Sequence, residues 1–198
     1  MLHWKELIGL SDAQLGALDV AEVNLACAAD LPGAPDAAQA AECIDRLNHY
    51  AKCAAHYTQV RMTEFLNRPQ VYRDSEGIIR MVCMVQLLQK QFGVRYNVAK
   101  IPENAPFYTE DVFIHGALLG QGGTCASLPV VYAAVGRRLG YPLKLVSAMR
   151  HQFVRWDDPD GERFNIEVNN PAWTARRTTT TARTATKSRR RWSDLAAC

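Results

Sequence analysis

A cysteine, a histidine and a glutamate in this chain have the residue types and the order that acyl transfer requires. Cys125 follows Gly122-Gly123-Thr124 and opens an apolar stretch. At the start of a helix, free backbone N–H groups and the helix dipole favour the thiolate, which is the nucleophilic form of cysteine. His151 and Glu167 follow in later segments, where an imidazole can act as base and an acid can orient it. The pattern therefore predicts Cys125, His151 and Glu167 as catalytic residues.

The segments around these residues are predicted from apolar periodicity and turn residues. We expect Thr124 to be the N-cap of a helix that runs to Arg138, with Pro129 loosening its first turn and Gly140 ending it. This helix should be central, because its apolar face is continuous. Three short strands are expected after it, at residues 142–146, 151–156 and 163–168.

The turn between the last two strands decides whether His151 and Glu167 meet. A five-residue loop over 157–161 pairs residues whose numbers sum to 318 and places the two side chains directly opposite. A three-residue loop with Gly161 in the left-handed region gives a sum of 320 and makes them diagonal neighbours. A two-residue loop would separate them. The Asp-Pro-Asp-Gly composition favours an odd loop, so contact is predicted.

Other polar residues could assist the same chemistry. Asn165 and Asn169 have the strand parity of Glu167, so either could orient His151 in its place, and Glu167 ranks above both. The backbone N–H of Cys125 is expected to stabilise an oxyanion. The side-chain amide of Gln121 is a further candidate, because it lies just before the nucleophile.

The first half of the chain is predicted to be helical. Helices are expected at residues 11–30, 36–66 and from 75 or 76 to 92, an irregular segment at 96–108, and a short helix or turn at 110–119. We therefore predict an α+β fold with a helical N-terminal region (1–95), a core of one central helix on a small antiparallel sheet (96–171), and a tail (172–198).

Composition narrows the classes of function. Apolar residues make up 48% of the 198 residues, which is enough for a core, yet no apolar run approaches a membrane span and no secretion signal is evident. Six cysteines without close pairs indicate reduced thiols, so a cytoplasmic protein without a metal or cofactor is expected. A zinc site formed by His49, Cys53 and His56 is a weaker alternative.

The tail differs from the rest of the chain in charge. Residues 172–198 hold seven of the 23 basic residues and one of the 20 acidic residues, so they carry +6 and residues 1–171 carry −3. We expect no membrane partner, and no nucleic-acid partner except through this tail. Its Thr- and Arg-rich composition is typical of disorder, while a binding arm and a shifted reading frame are the alternatives.

The motifs together resemble the transglutaminase-like superfamily. The resemblance lies in Gly-Thr-Cys-Ala-Ser-Leu-Pro, in Arg137-Arg138-Leu139-Gly140-Tyr141-Pro142, in His151-Gln152-Phe153 and in Phe164-Asn165-Ile166-Glu167. Bacterial members with a helical N-terminal region are the most similar subgroup. Two features depart from the pattern: Glu167 stands where aspartate is usual, and no aromatic residue follows Cys125.

The resemblance implies a papain-like cysteine fold with the nucleophile on a helix and the His and acid on adjacent strands. It also implies cysteine-dependent chemistry on an amide of a protein or peptide substrate, either hydrolysis of a peptide or isopeptide or transfer to an amine. A non-catalytic binding or scaffold module of the same fold is the alternative.

Overall fold

The computed structural model describes residues 2–102 and 104–169 and the backbone of 175–176. In these segments the chain forms eight α-helices and one small antiparallel sheet, which confirms the predicted α+β class. The helices are α1 (Trp4–Leu7), α2 (Asp12–Ala17), α3 (Val20–Ala28), α4 (Ala37–Asn67), α5 (Glu76–Lys90), α6 (Thr109–Val112), α7 (Ile114–Leu119) and α8 (Leu128–Arg138). The strands are β1 (Leu143–Ala148), β2 (His151–Asp157), β3 (Arg163–Ile166) and the two-residue β4 (Ala175–Arg176).

The N-terminal helices begin at polar caps that the sequence carries. The predicted helices at 36–66 and 75–92 correspond to α4 and α5, and Asp36 and Ser75 accept hydrogen bonds from backbone N–H groups in the first turns. The single helix predicted at 11–30 is wrong, since α2 and α3 are separate. Asp19 starts α3 as its N-cap, because its Oδ1 accepts a hydrogen bond of 2.7 Å from the Ala21 N–H.

The sheet has the strand order β1-β2-β3-β4, and all neighbours are antiparallel. Asp157 pairs with Arg163, and the Asp158 N–H donates to the Glu162 carbonyl at 3.1 Å, so a three-residue loop joins β2 and β3. Of the two registers that the sequence allowed, the structure has the one in which His151 and Glu167 are diagonal neighbours. The expected left-handed conformation of Gly161 is wrong, because this residue is not among the glycines with positive φ.

The helix α8 is the centre of the hydrophobic core. It contacts α3, α4 and α7 as well as β1 and β2. Its Tyr132 and Val131 are fully buried, and they belong to one cluster with Leu47 of α4 and Phe164 of β3. The cluster therefore runs from the N-terminal helices to the sheet, and the position of the sheet relative to the start of α8 is set by this packing.

None of the helices in the described segments combines the length and the apolar character that crossing a bilayer would require. The predictions for the 172–198 tail lie outside the described residues, apart from the backbone of 175–176 in β4.

Candidate active site

Cys125 lies in a turn that precedes α8 rather than in the helix itself. The turn comprises residues 125–127, and regular helix begins at Leu128. The Leu128 N–H donates to the Thr124 carbonyl at 3.0 Å, which closes the turn. Pro129 is in the first turn of α8 and has no N–H for the Cys125 carbonyl, as its place in the sequence predicts.

Two buried hydroxyl groups hold this turn. The Thr124 N–H donates to the Ser127 Oγ at 3.0 Å, and the Ala126 N–H donates to the Thr124 Oγ1 at 3.2 Å. Both hydroxyls also donate to the backbone carbonyl of Asp111, at 2.7 Å from Thr124 and 3.3 Å from Ser127. The prediction that Thr124 is the N-cap of this helix is wrong, because α8 begins at Leu128 with Ser127 as its N-cap, and the Thr124 hydroxyl bonds within the preceding turn instead. These two hydrogen bonds to Asp111 fix the turn to α6.

The Asp111 side chain completes this support through a buried ion pair. Its Oδ2 lies 2.7 Å from the Nζ of Lys100, and only 3% and 11% of the two side chains are exposed. The Tyr108 N–H donates to the same Oδ2 at 2.8 Å, and the Lys100 Nζ donates to the Pro106 carbonyl at 2.7 Å. These bonds satisfy the pair, so α6 and the segment before it form a rigid base under the cysteine turn.

The two glycines before Cys125 allow a close approach of another chain segment. The Asn97 N–H donates to the Gly123 carbonyl at 2.8 Å, and the Gly123 N–H donates to the Arg95 carbonyl at 2.9 Å. Gly122 has φ +116, and a Cβ there would lie 2.8 Å from the Arg95 carbonyl oxygen. Only glycine therefore fits at this position.

This approach brings Tyr96 beside the thiol. Tyr96 pairs with Gly123 in an isolated parallel bridge. Burial raises the pKa of the Tyr96 phenol, and a negative charge on Cys125 raises it further. Nothing in the sequence pattern marks Tyr96, because its neighbourhood depends on the pairing of two irregular segments.

The expectation that the position of Cys125 lowers its pKa is wrong. Burial raises the pKa of the half-buried thiol above its ordinary value of 9.0, its own backbone N–H lowers it, and the negative charge of Glu167 raises it again. The reason is that α8 starts three residues later, so the thiol gains less from the helix dipole than it loses by desolvation. The influence of Glu167 nevertheless indicates that the acid and the thiol share one neighbourhood.

His151 and Glu167 meet across the sheet. The Nε2 of His151 lies 2.6 Å from the Oε2 of Glu167, although 16 residues separate them. An ionised carboxylate only accepts hydrogen bonds, so Nε2 carries the proton and Nδ1 is the basic nitrogen. The side chains are 30% and 38% exposed. The pair therefore lies at the surface of the sheet, where a substrate could reach it.

The two candidate asparagines have different hydrogen-bond partners. The Oδ1 of Asn165 accepts a hydrogen bond of 2.8 Å from the Nε of Arg155, so this residue is engaged with β2 and not with His151. Asn169 contacts Glu167 instead, through its Nδ2 at 2.7 Å and its backbone N–H at 3.1 Å. Neither asparagine replaces Glu167 as the partner of His151.

The thiol and the imidazole are not joined by a hydrogen bond in the described part of the chain. Among the hydrogen bonds of the described residues, none joins Cys125 to His151, and none joins Gln121 to either of them. Gln121 is an exposed residue at the approach to the turn. The thiol is half-buried rather than sealed in the interior. Catalytic hydrogen bonds are often longer in free enzymes than in complexes.

The other histidines are arranged differently. The Sγ of Cys53 lies 3.7 Å from the Nε2 of His49, but within the described residues no group of three or more potential ligands is placed to hold a metal. His115 is buried in α7, where its Nε2 donates to the Gly33 carbonyl at 3.1 Å. Burial lowers the pKa of His115. It joins α7 to the loop before α4.

Comparison with known proteins found no family model, no curated protein and no solved structure that matches this chain. The residue geometry around Cys125, His151 and Glu167 is therefore the basis of the functional inference.

Proposed function

We propose that this chain performs cysteine-dependent acyl chemistry on an amide of a protein or peptide, within a transglutaminase-like, papain-like core. Cys125 is the nucleophile, His151 is the base and proton donor, and Glu167 orients the imidazole. One observation carries the proposal: the contact of 2.6 Å between His151 and Glu167, formed on neighbouring segments of the sheet. Because this contact uses Nε2, it leaves Nδ1 as the ring nitrogen that can accept a proton.

Each group then has a defined part in the reaction. The Nδ1 of His151 takes the thiol proton as the Cys125 sulfur bonds to the amide carbon, and the carbonyl electrons move to its oxygen. As they return, the C–N bond breaks and Nδ1 gives its proton to the leaving amine. Water or a second amine then attacks the thioester by the same route and restores the thiol. Glu167 stabilises the imidazolium in both halves.

The oxyanion formed in each step needs hydrogen-bond donors. The backbone N–H of Cys125 is the proposed primary donor, and the exposed amide of Gln121 is the proposed second donor. Water reaching the thioester would make the protein a hydrolase, and an amine doing so would make it a transferase.

The raised pKa of Cys125 makes a base necessary if this residue is the nucleophile. Because burial raises the pKa of the Cys125 thiol, its attack on a carbonyl requires removal of the thiol proton. The imidazole of His151 is the base that the local geometry offers. The reactivity of Cys125 near neutral pH therefore measures whether His151 removes the thiol proton.

A non-catalytic binding or scaffold module is the second candidate. It is favoured by the same raised pKa and by the missing thiol–imidazole hydrogen bond among the described residues. In that case the His151–Glu167 pair would only join the ends of β2 and β3.

Iodoacetamide labelling below pH 7, followed residue by residue by mass spectrometry, distinguishes the two. Cys27 is an exposed internal control, and Cys53 is a second control because its thiol lies 3.7 Å from the Nε2 of His49. We expect Cys125 to be alkylated about tenfold faster than either control, as for an activated thiol. Equal rates at Cys125 and Cys27 would reject the enzyme and favour the binding module.

A further inference from the structure

Glu167 is held in place by one side chain beyond β3. The Oε1 of Glu167 accepts two hydrogen bonds from Asn169, at 2.7 Å from Nδ2 and at 3.1 Å from the backbone N–H. The other carboxylate oxygen, Oε2, is engaged by His151. The carboxylate is therefore bound at both ends, and its plane is fixed relative to the imidazole.

The orientation of the Asn169 amide follows from its surroundings. Its Oδ1 is buried and has no hydrogen-bond partner among the described residues. A flipped amide would place this oxygen against the Glu167 carboxylate, where two acceptors would repel each other. The Nδ2 also lies 3.5 Å from the Gln152 carbonyl. In the observed orientation the Nδ2 of Asn169 donates to Glu167, while its Oδ1 has no hydrogen-bond partner among the described residues.

We propose that Asn169 is a positioning residue for the His151–Glu167 pair. It keeps the Glu167 carboxylate aligned, because both of its hydrogen bonds go to Oε1 and leave Oε2 to His151. An aligned carboxylate holds the proton on Nε2 of His151 and leaves Nδ1 as the base. This inference rests on the proposed function, because alignment matters for chemistry only if Cys125 reacts.

The alternative is a purely structural asparagine that ties the end of β3 to β2 through Gln152. That contact is long, at 3.5 Å, whereas both short bonds of Asn169 go to Glu167. A structural role predicts that substitutions lower stability without changing the state of the imidazole. A positioning role predicts the opposite.

Asn169→Asp is the sharpest variant, because it keeps the side-chain volume and replaces the Nδ2 donor by an oxygen facing Glu167. Asn169→Ala removes the donor without adding charge. Asn48→Ala is the matched control. Asn48 lies in α4, and its Oδ1 accepts a hydrogen bond of 2.8 Å from the charged side chain of Arg138. Thermal unfolding of all three variants establishes that they are folded.

The first readout is the proton resonance of the His151 Nε2–H in ¹⁵N-labelled protein, which does not depend on a reactive thiol. We expect the resonance to move upfield and to exchange faster with water in Asn169→Ala, and more so in Asn169→Asp. Asn48→Ala should match the wild type. An unchanged resonance in both Asn169 variants would overturn the positioning role.

The second readout is alkylation of Cys125 by iodoacetamide below pH 7. We expect Asn169→Ala to slow it about tenfold, which is the usual contribution of a hydrogen bond to a charged group. A changed resonance with unreactive Cys125 in the wild type would sustain the positioning of Glu167 and reject the proposed function. Fast, His151-dependent alkylation that Asn169→Asp leaves unaltered would reject the positioning role and keep the proposed function.

Discussion

The turn that carries Cys125 and the strand ends that carry His151 and Glu167 are built in different ways. Thr124 and Ser127 are completely buried, and Asp111 beneath them is 2% exposed. His151 and Glu167, in contrast, have side chains that are 30% and 38% exposed and meet through one bond. The turn is therefore held by the interior, and the pair is held at the surface of the sheet.

This difference separates stability from chemistry. Substitutions beneath the turn leave buried polar groups without partners, so they should lower the free energy of unfolding strongly. Substitutions in the exposed pair remove an interaction that water partly replaces, so the fold should tolerate them. The reactivity of the thiol should respond in the reverse order, as long as the turn remains folded.

The largest loss of stability is expected from Lys100→Met. The substitution leaves the buried Asp111 carboxylate without its cation, and breaking a buried ion pair in this way costs about 3–5 kcal/mol. Urea denaturation measures the change. Lys144→Met is the control, because the Lys144 side chain is 63% exposed in its pair with Asp157 and should contribute less than about 1 kcal/mol. Similar losses of unfolding free energy in both variants would contradict a larger contribution of the buried Lys100–Asp111 pair to stability.

Thr124→Val should have the next largest effect. It preserves the shape of the side chain but leaves the Ala126 N–H and the Asp111 carbonyl each with one bond fewer, at a cost of about 1–3 kcal/mol. Thr58→Val is the matched control, since the buried Oγ1 of Thr58 has no hydrogen-bond partner of ordinary geometry in the described part of the chain. That control should be neutral or stabilising. Thr124→Val with the stability of the wild type would contradict the proposed support of the turn.

The helices and strands were largely predictable because they depend on local patterns. The apolar period and the cap at Asp36 placed α4 within one residue of its observed ends. The hairpin was restricted to two registers by its turn composition, and the structure has the diagonal one. The break between α2 and α3 was missed because the capping side chain of Asp19 lies inside a stretch with continuous helical period.

The surroundings of the thiol were not predictable in the same way. Its pKa depends on burial and on the charge of Glu167, which are set by how the sheet packs against α8. The Lys100–Asp111 pair joins two residues of an irregular segment and a short helix, and no spacing rule connects them. Sequence order identifies candidate groups, whereas tertiary packing determines their protonation and their access to solvent.

His151→Ala should change stability least and reactivity most. Because its partner Glu167 is 38% exposed, the free energy of unfolding should fall by less than about 1 kcal/mol. Without the base, Cys125 depends on its own ionisation, which the raised pKa of its buried thiol disfavours. The alkylation rate of Cys125 should therefore be very low at pH 7 and climb only in alkaline solution, while the wild-type rate is already substantial below pH 7.

The exposed thiol of Cys27 serves as the control within the same samples, because its alkylation should follow one pH profile in both proteins. If Cys125 had the same profile with and without His151, the imidazole would not be its base. The sheet pair would then be a surface contact only, and the contrast between the two regions would concern stability alone. A shift of the profile confined to Cys125 would instead link the exposed strand ends to the buried turn through the imidazole of His151.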